Sequence, residues 1–350
     1  MRSLCTAVAL ITLWIASAAF ADDAAILLYY RFTPGQTLKS IESVKGSVPM
    51  LADITMPAGM DVGGGLPSRM NIQTTVDSTT VSMQRVESVD RAGTATITQW
   101  IDYMVMDAKS LVEGETLTYR MEYSGGKLNV SGSSAAQMPA ARLDALRQLL
   151  ARTYSVQMDV LGRTRVLDAD MSQVWGQMLG VTMSGEEFYR LQQATWCLPT
   201  QPVKPGDTWQ GVFTPGPGGG YVSGGATMQL TGFKLLEGRR VADILVRSYV
   251  TVTNKATDGA SPFLGSLLDN MTARIDSLTL RMTTRRNFDI QMGRVTSAIS
   301  NITLGMGQTI KLGLGDLLGG MGGGGGADDI TVTTRVDNAP LQSQSTTGAE

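Results

Sequence analysis

Two pairs of acidic residues are the parts of the chain whose spacing could support catalysis. Asp168 and Asp170 stand one residue apart, and Glu186 and Glu187 are adjacent. Two carboxyl groups in different environments can act as general acid and general base, as they do in glycoside hydrolysis. Each pair also has a structural explanation, because Asp170 suits a helix N-cap and the two glutamates suit a first helical turn. We favour the structural roles and predict no catalytic residue.

Histidine is absent from the sequence, and this absence removes several classes of site. Ser-His-Asp and Cys-His catalysis, histidine-ligated zinc and a histidine pH switch all require an imidazole. Of the two cysteines, Cys5 lies near the N-terminus, and Cys197 follows a tryptophan and precedes a leucine, which predicts a buried small apolar residue. Asp328 and Asp329 lack the spacing of a calcium loop. We expect neither a metal nor a cofactor.

Two segments rich in methionine, leucine and glycine could bind an apolar ligand. Residues 48–70 are interrupted by prolines and glycines, and residues 312–326 are rich in glycine without the order of a phosphate-binding loop. Methionine side chains adapt to apolar surfaces of different shapes. For the first segment, an ordinary surface loop is the favoured alternative. The candidate ligand-binding residues are Met50, Met56, Met60, Met70, Leu312, Leu314, Leu317, Leu318 and Met321.

Alternating apolar and polar residues predict that strands hold these segments. The alternation runs through residues 71–106, and short turns containing glycine predict hairpins at 116–130, 154–167, 227–253 and 277–304. Pro34-Gly35 and Pro205-Gly206 each fit the centre of a type II turn. Each pair is followed by residues suited to a strand. The recurrence of this order predicts two related β-rich halves.

Helices are predicted at three places. Residues 138–153 and 261–271 each begin with a proline near the first turn and continue with leucines on one side. Residues 168–201 contain an S-x-x-E capping box and predict a helical bridge. We therefore predict an α+β fold with two diverged halves, residues 22–167 and 202–340, each a curved antiparallel sheet with a packed helix. Residues 341–350 are expected to form a flexible tail.

The N-terminus has the features of a secretory signal peptide. Arg2 precedes an apolar run, and Ala19-Phe20-Ala21 forms a cleavage site before Asp22. The apolar run is shorter than the ~20 residues that span a bilayer, so we expect cleavage after Ala21 and no transmembrane segment in the mature chain. We expect a periplasmic or extracellular protein. The formal charge of −2, without a basic stripe, indicates that nucleic acid is not a partner.

Short turn motifs carry a resemblance to known groups of proteins. With Pro34-Gly35-Gln36-Thr37, Pro205-Gly206-Asp207-Thr208-Trp209 and the Gly-Arg hairpins at Gly162 and Gly293, the chain resembles uncharacterised bacterial exported proteins that form a domain-of-unknown-function family. Strands wrapped on a helix are also similar to the half-barrel envelope lipid carriers of the LolA and LppX type. The first resemblance implies an exported β-rich protein. The second implies a concave apolar sheet that holds an acyl chain, and neither supplies a catalytic residue.

Three functions remain open at this point. We expect an exported envelope protein that binds a lipid or other apolar ligand, or the surface of another envelope protein, without catalysis. A structural or assembly module of the envelope is the alternative. A carboxylate-dependent hydrolase that uses the acidic pairs is the second alternative.

Overall fold

The computed structural model describes residues 25–55, 68–133, 140–167, 194–213, 222–253, 271–312 and 330–349. The expected signal peptide, with its cleavage site between Ala21 and Asp22, lies outside the described residues. So do residues 168–193 of the expected helical bridge and residues 261–270 of the expected second helix.

Antiparallel strands make up nearly all of the described chain. The strands are β1 (Thr37–Thr55), β2 (Arg69–Val89), β3 (Ala95–Val112), β4 (Glu115–Ser124), β5 (Lys127–Ser131), β6 (Tyr154–Met158), β7 (Thr164–Val166), β8 (Thr208–Val212), β9 (Val222–Leu236), β10 (Arg239–Thr253), β11 (Met271–Asp289), β12 (Arg294–Leu312) and β13 (Ile330–Ala349). The helix α1 (Ala140–Leu150) lies within the predicted range 138–153, and residues 194–196 of the expected bridge are also helical among the described residues. The hairpins predicted from alternation are confirmed.

The strands form one continuous sheet in the order β5-β4-β3-β2-β1-β13-β12-β11-β10-β9-β8, and β6 and β7 extend it beside β3. Strand β1 joins the two parts of the chain, because it pairs with β2 on one side and with β13 on the other. The predicted α+β fold is therefore wrong. The described strands pair with one another across both parts of the chain, so separate sheets covered by helices do not form.

The two Pro-Gly turns are confirmed as the starts of strands. Gly35 has φ 78°, and the backbone nitrogen of Gln36 donates to the oxygen of Thr33 at 3.1 Å. Gly206 has φ 96°, and the nitrogen of Asp207 donates to the oxygen of Lys204 at 3.0 Å. Glycine takes positive φ without steric cost, so each pair reverses the chain just before β1 or β8.

Three hairpin turns share an aspartate that accepts backbone hydrogen bonds. Asp90 Oδ1 accepts from the nitrogens of Ala92 and Thr94, each at 2.8 Å. Asp159 Oδ1 and Asp289 Oδ1 bind nitrogens of their own turns in the same way, at 2.8–3.0 Å. A carboxylate that satisfies two turn nitrogens stabilises the reversal locally. The position of each aspartate therefore fixes where each hairpin reverses.

The main core lies on one face of the sheet, which we call the inner face because residues 26–32 pack against it. Leu28, Tyr30, Leu198 and Val203 cover strands β9, β10 and β11. The buried strand residues beneath them are Ala226, Met228, Leu230, Ala242, Ile244, Val246 and Phe288. A smaller cluster on β2, β3 and β6 consists of Val86, Ala95, Ile97 and Val156.

The sheet is curved, as the contacts of Tyr30 require. The nitrogen of Tyr30 donates to the oxygen of Val160, just after β6, at 2.8 Å. The Tyr30 ring also packs edge-on against Phe288 of β11, with ring centroids 5.5 Å apart. In a flat sheet, β6 and β11 would lie six strand spacings apart, about 29 Å. One residue can contact both only because the sheet bends towards its inner face.

The C-terminal residues continue the sheet where we expected a flexible tail. Residues 341–349 belong to β13, which pairs with β1 on one side and with β12 on the other. Leu341 pairs with both Gly46 and Ile302, and Thr346 pairs with both Ile41 and Ser297. Backbone hydrogen bonds on both sides order this polar segment, although its side chains contribute little apolar burial.

Candidate functional site

A cavity of about 290 Å³ lies on the inner face, under residues 30–32 and beside β6. This volume is near the lower end of the ~300–1,000 Å³ typical of small-molecule sites. Apolar side chains form much of the wall: Tyr30, Phe32, Leu38, Val86, Ile97, Val156, Met158, Trp196, Val295 and Ala298. The site is therefore a cavity with partly apolar walls between the sheet and the segment that covers it.

Polar side chains form the floor of the cavity, because every second residue of a strand points to the same face. Strand β1 contributes Ser40 and Glu42, and its neighbour β13 contributes serine and threonine residues at 343, 345 and 347. Thr284 of β11 and Ser300 of β12 are paired across the ladder, and their hydroxyl oxygens lie 2.9 Å apart. The floor is thus lined with hydroxyl groups, whereas the cover and the sides are more apolar, although Gln84, Gln99 and Thr164 also belong to the lining.

The charged groups that line the cavity are three arginines and one glutamate. Arg31 belongs to the covering segment, and its guanidinium lies 4.8 Å from the centroid of the Tyr29 ring. Glu42 is exposed, and its Oε1 accepts a hydrogen bond from Ser343 Oγ at 3.0 Å. Arg286 and Arg294 complete the set. The lining therefore has an excess of positive charge.

Arg286 of β11 is the most deeply buried of these charged groups, with 8% of its surface exposed. Its Nη1 donates to the backbone oxygen of Thr195, and its guanidinium carbon lies 4.0 Å from the centroid of the Trp196 ring. Its Nε is buried and has no hydrogen-bond partner among the described residues. Burial lowers the pKa of Arg286 to about 10, against the opposing influences of Tyr30 and Cys197.

Arg294 has a different electrostatic environment, because a buried carboxylate lies near it. Burial lowers the pKa of Arg294, and the charge of Asp289 acts in the opposite direction. Asp289 is fully buried, and its Oδ2 lies 3.4 Å from Arg239 Nη1, without the geometry of a hydrogen bond. Asp289 thus offsets part of the charge of Arg294. Among the described residues, no carboxylate forms an ion pair with Arg286.

Tyr30 lies between the cavity and the core. Its ring stacks on Phe32 with centroids 6.2 Å apart and meets Phe288 edge-on. Burial raises the pKa of Tyr30 to about 12, although the nearby charge of Arg286 acts to lower it. The phenol is therefore neutral at physiological pH and serves as a wall of the cavity.

Cys197 packs against the main core, but it is half-buried and not buried as its sequence neighbours predict. Its backbone oxygen accepts a hydrogen bond from Trp209 Nε1 at 3.0 Å. Burial raises the pKa of the Cys197 thiol, so the reactive thiolate is disfavoured at neutral pH. The residue contributes to packing and has no feature of a catalytic nucleophile.

Of the candidate ligand-binding residues predicted from sequence, Met50 and Met70 have described positions. Met50 is in β1 opposite Ile72, and Met70 is in β2 opposite Ala52, so both belong to paired strands instead of a loop. Met50 lines an open groove of about 600 Å³ that includes Leu111, and neither methionine lines the cavity. Met56, Met60, Leu314, Leu317, Leu318 and Met321 lie outside the described residues, and nothing is described of the Leu312 side chain.

Sequence reasoning missed Arg286, although the sequence carries a signal for it. Leu278, Leu280 and Met282 alternate along β11, and the same face continues through Thr284 and Arg286 to the buried Phe288. An arginine at an inward position of an otherwise apolar alternation marks a charge that the fold buries. The composition of the segment hides this signal, because Arg281 and Arg285 on the same strand are exposed.

The acidic pairs Asp168/Asp170 and Glu186/Glu187 lie outside the described residues. Within the described ranges, the cavity is lined by a single carboxylate, that of Glu42. No group of three or more potential metal ligands occurs in the part of the chain that the structure describes. Among the described helices, none is long and apolar enough to cross a membrane.

Comparisons with known proteins add little to this geometry. A scan of protein-family models found no match, and a search of curated proteins found none either. One similar solved structure is an outer membrane channel from Pseudomonas putida F1, with 8% identity, a TM-score of 0.23, and coverage of 92% of this chain and 98% of that chain. A second is Pseudomonas aeruginosa OccK7 (OpdD), with 7% identity, a TM-score of 0.16, and coverage of 90% and 100%. These TM-scores are too low to carry an argument about fold or function.

Proposed function

We propose that the protein is an exported protein of the cell envelope that binds an apolar ligand, without catalysis, in the cavity on the inner face of its sheet. The observation that carries this proposal is the cavity itself, which combines apolar walls with a hydroxyl-lined floor. Small-molecule sites likewise combine apolar side chains, which provide burial, with polar groups that fix orientation, and this cavity is richer in polar groups than most.

The cavity favours a small ligand over a protein partner. Its walls come from strands β1, β2, β3, β11, β12 and β13, from β6 and β7, from Trp196 and from the covering residues 30–32. They surround a volume that a small molecule or the end of a larger one would fill. A protein partner would instead require a larger exposed surface, with about 800 Å² buried on each side. A structural or assembly module therefore stays the second candidate, and the more open groove near Met50 is the surface it would use.

A carboxylate-dependent hydrolase receives no support from the cavity. Hydrolysis by acid and base carboxylates needs two such groups about 5–10 Å apart. Glu42 is the one carboxylate among the described cavity residues, and it is exposed and bonded to Ser343.

The binding proposal is tested with a neutral apolar dye, such as N-phenylnaphthylamine, whose fluorescence rises in an apolar environment. The purified protein is expected to enhance the fluorescence in a saturable manner. Ala298→Leu adds carbon atoms at a wall position of the cavity and is expected to weaken dye binding at least tenfold. Asn301→Leu adds an exposed leucine on the opposite face of the same strand and serves as the matched control.

Two outcomes would count against the proposal. If the dye does not bind, or if Ala298→Leu and Asn301→Leu bind it equally well, the cavity is not the binding site. Circular dichroism of both variants shows whether the sheet is intact, so a loss of folding is distinguished from a filled cavity.

A further inference from the structure

We propose that the ligand carries an anionic group, a carboxylate or a phosphate, and that the guanidinium of Arg286 binds this group inside the cavity. The inference rests on the proposed function and adds the chemical class of the ligand to it. The ligand is thus an anionic amphiphile, with its apolar part against the walls and its charged end at β11.

Arg286 has a buried nitrogen without a hydrogen-bond partner among the described residues. Nη1 and the π-face of the guanidinium are occupied by Thr195 and Trp196, but Nε is buried and has no partner among the described residues. Buried polar groups are hydrogen-bonded in the great majority of cases, so an unpaired one requires an explanation. Arg286 lines the cavity, so the missing partner that we infer is an acceptor on a bound ligand. Because Nε itself is buried from solvent, the guanidinium has to turn towards the cavity when the ligand binds.

The charges of the described residues that line the cavity do not balance. Burying an arginine is costly unless an opposite charge or an acceptor compensates for it. Arg294 also has two buried nitrogens without a partner, Nε and Nη1, but the charge of Asp289 acts on it, whereas Arg286 has no ion-pair partner among the described carboxylates. Three arginines and one glutamate line the cavity, so the compensating charge is expected to come from the ligand. A guanidinium is well suited to this role, because it binds carboxylate and phosphate through charge-assisted hydrogen bonds.

The competing explanation is that Arg286 serves only to hold residues 194–196 against the sheet. Its hydrogen bond to Thr195 and its contact with Trp196 would both contribute to this role. The two explanations differ in what a change at Arg286 does to ligand selectivity. Loss of a purely structural arginine affects ligands of every charge alike, whereas loss of an anion-binding arginine affects anions alone.

The experiment compares ligands whose alkyl chains have nine or ten carbons and which differ at the head group. Decanoate, decyl phosphate, decanol and decyltrimethylammonium compete with the bound neutral dye, and each inhibition constant is measured. Decanoate or decyl phosphate is expected to bind about tenfold or more tightly than decanol, because a charge-assisted hydrogen bond adds to the same apolar burial. The stronger of the two anions identifies the head group as a carboxylate or a phosphate.

Arg286→Met removes the charge while it keeps most of the side-chain length. This variant is expected to bind the preferred anion about 10- to 100-fold more weakly and decanol within about threefold of wild type. Arg281→Met is the matched control, because Arg281 is exposed on the opposite face of β11 and should change neither affinity. Equal loss of anion and alcohol binding by Arg286→Met would overturn the inference in favour of a structural arginine.

Glu42→Gln provides a second test that does not depend on the folding of the Arg286 variant. It removes the one described carboxylate of the cavity and keeps an acceptor for the hydrogen bond from Ser343. Anion affinity is expected to rise about threefold, and decyltrimethylammonium affinity is expected to fall, because a repulsive charge has become neutral. Unchanged affinities for both, or anions that bind wild type no better than decanol, would refute the inference. If the dye still binds when the anion inference fails, the proposed binding of an apolar ligand in the cavity is still supported.

Discussion

Strands β9 and β10 and strands β1 and β13 present the same face of one sheet to different surroundings. The inner positions of β9 and β10 are apolar and buried, as Leu230 and Ile244 illustrate. The inner positions of β1 and β13 that line the cavity include Ser40, Glu42 and Ser345. In both regions every second side chain points to the inner face. The polarity of these side chains decides whether the face becomes a buried core or a cavity.

The difference can be tested with matched leucines. Leu230→Ala in β9 removes a fully buried side chain and is expected to lower the free energy of unfolding by about 2–5 kcal/mol. Leu38→Ala in β1 changes a cavity wall that is already half-exposed, and a loss below about 1 kcal/mol is expected. Urea unfolding followed by circular dichroism measures both values. Equal losses would show that the two regions do not differ in packing.

The hairpin aspartates allow a second comparison. Asp289→Ala removes two backbone hydrogen bonds and the carboxylate that compensates Arg239, and a loss of about 1.5–3 kcal/mol is expected. Asp90→Ala removes two similar hydrogen bonds in an exposed turn, where water replaces the carboxylate, so about 0.5–1.5 kcal/mol is expected. The same urea experiment ranks the two variants, and a larger loss for Asp90→Ala would contradict the burial argument.

The raised pKa of Tyr30 predicts a loss of stability in base. The folded-state pKa of about 12 exceeds the unfolded value of about 10. The stabilisation of the fold by the neutral phenol is therefore complete below about pH 10 and is lost as the pH rises through 12. The Tyr30→Phe variant has no phenol to ionise, so relative to this variant the free energy of unfolding of the wild type should fall by about 1 kcal/mol between roughly pH 9 and pH 11. The lowered pKa of Arg286 makes the free energy of unfolding rise with pH in this range, and it does so in the wild type and in Tyr30→Phe. A constant difference between the two proteins across this range would contradict burial of the phenol.

The smallest effect on stability is expected at Arg286. Arg286→Met replaces a desolvated charge without a described ion pair by an apolar side chain of similar length. Such replacements are often neutral or stabilising, so the free energy of unfolding is expected to stay the same or to rise by about 1 kcal/mol. Thermal and urea unfolding without ligand measure it. A loss of several kcal/mol would show that Arg286 is required to hold Thr195 and Trp196 in place.

Local features of the fold could be predicted from the sequence, because local chemistry determines them. Pro34-Gly35 and Pro205-Gly206 fix their turns through their own dihedral preferences, and the hairpin that follows Asp90 pairs neighbouring strands. The pairing of β1 with β13 joins residues about 300 positions apart, as the bond between Glu42 and Ser343 illustrates. No local pattern specifies such a partner, and the sequence therefore predicted two sheets where one forms.

The candidate site was less predictable for a related reason. Methionine-rich segments suggested a binding surface by composition, whereas the cavity combines residues from β1, β2, β3, β11, β12 and β13 that are distant in sequence. Arg286 becomes a candidate for ligand binding because Trp196 and Thr195, which belong to a separate segment, contact it and help to bury it. A functional side chain whose environment is built by tertiary contacts cannot be recognised from its own sequence neighbours.

The most direct test of the account is a crystal structure of the protein with an ω-brominated decanoate, whose bromine atom is located by anomalous scattering. The carboxylate is expected within about 3.2 Å of a guanidinium nitrogen of Arg286, with the alkyl chain between Phe32 and the floor formed by β1 and β13. A bromine position in the groove near Met50, or a carboxylate directed away from β11, would contradict the claim that this cavity binds an anionic amphiphile.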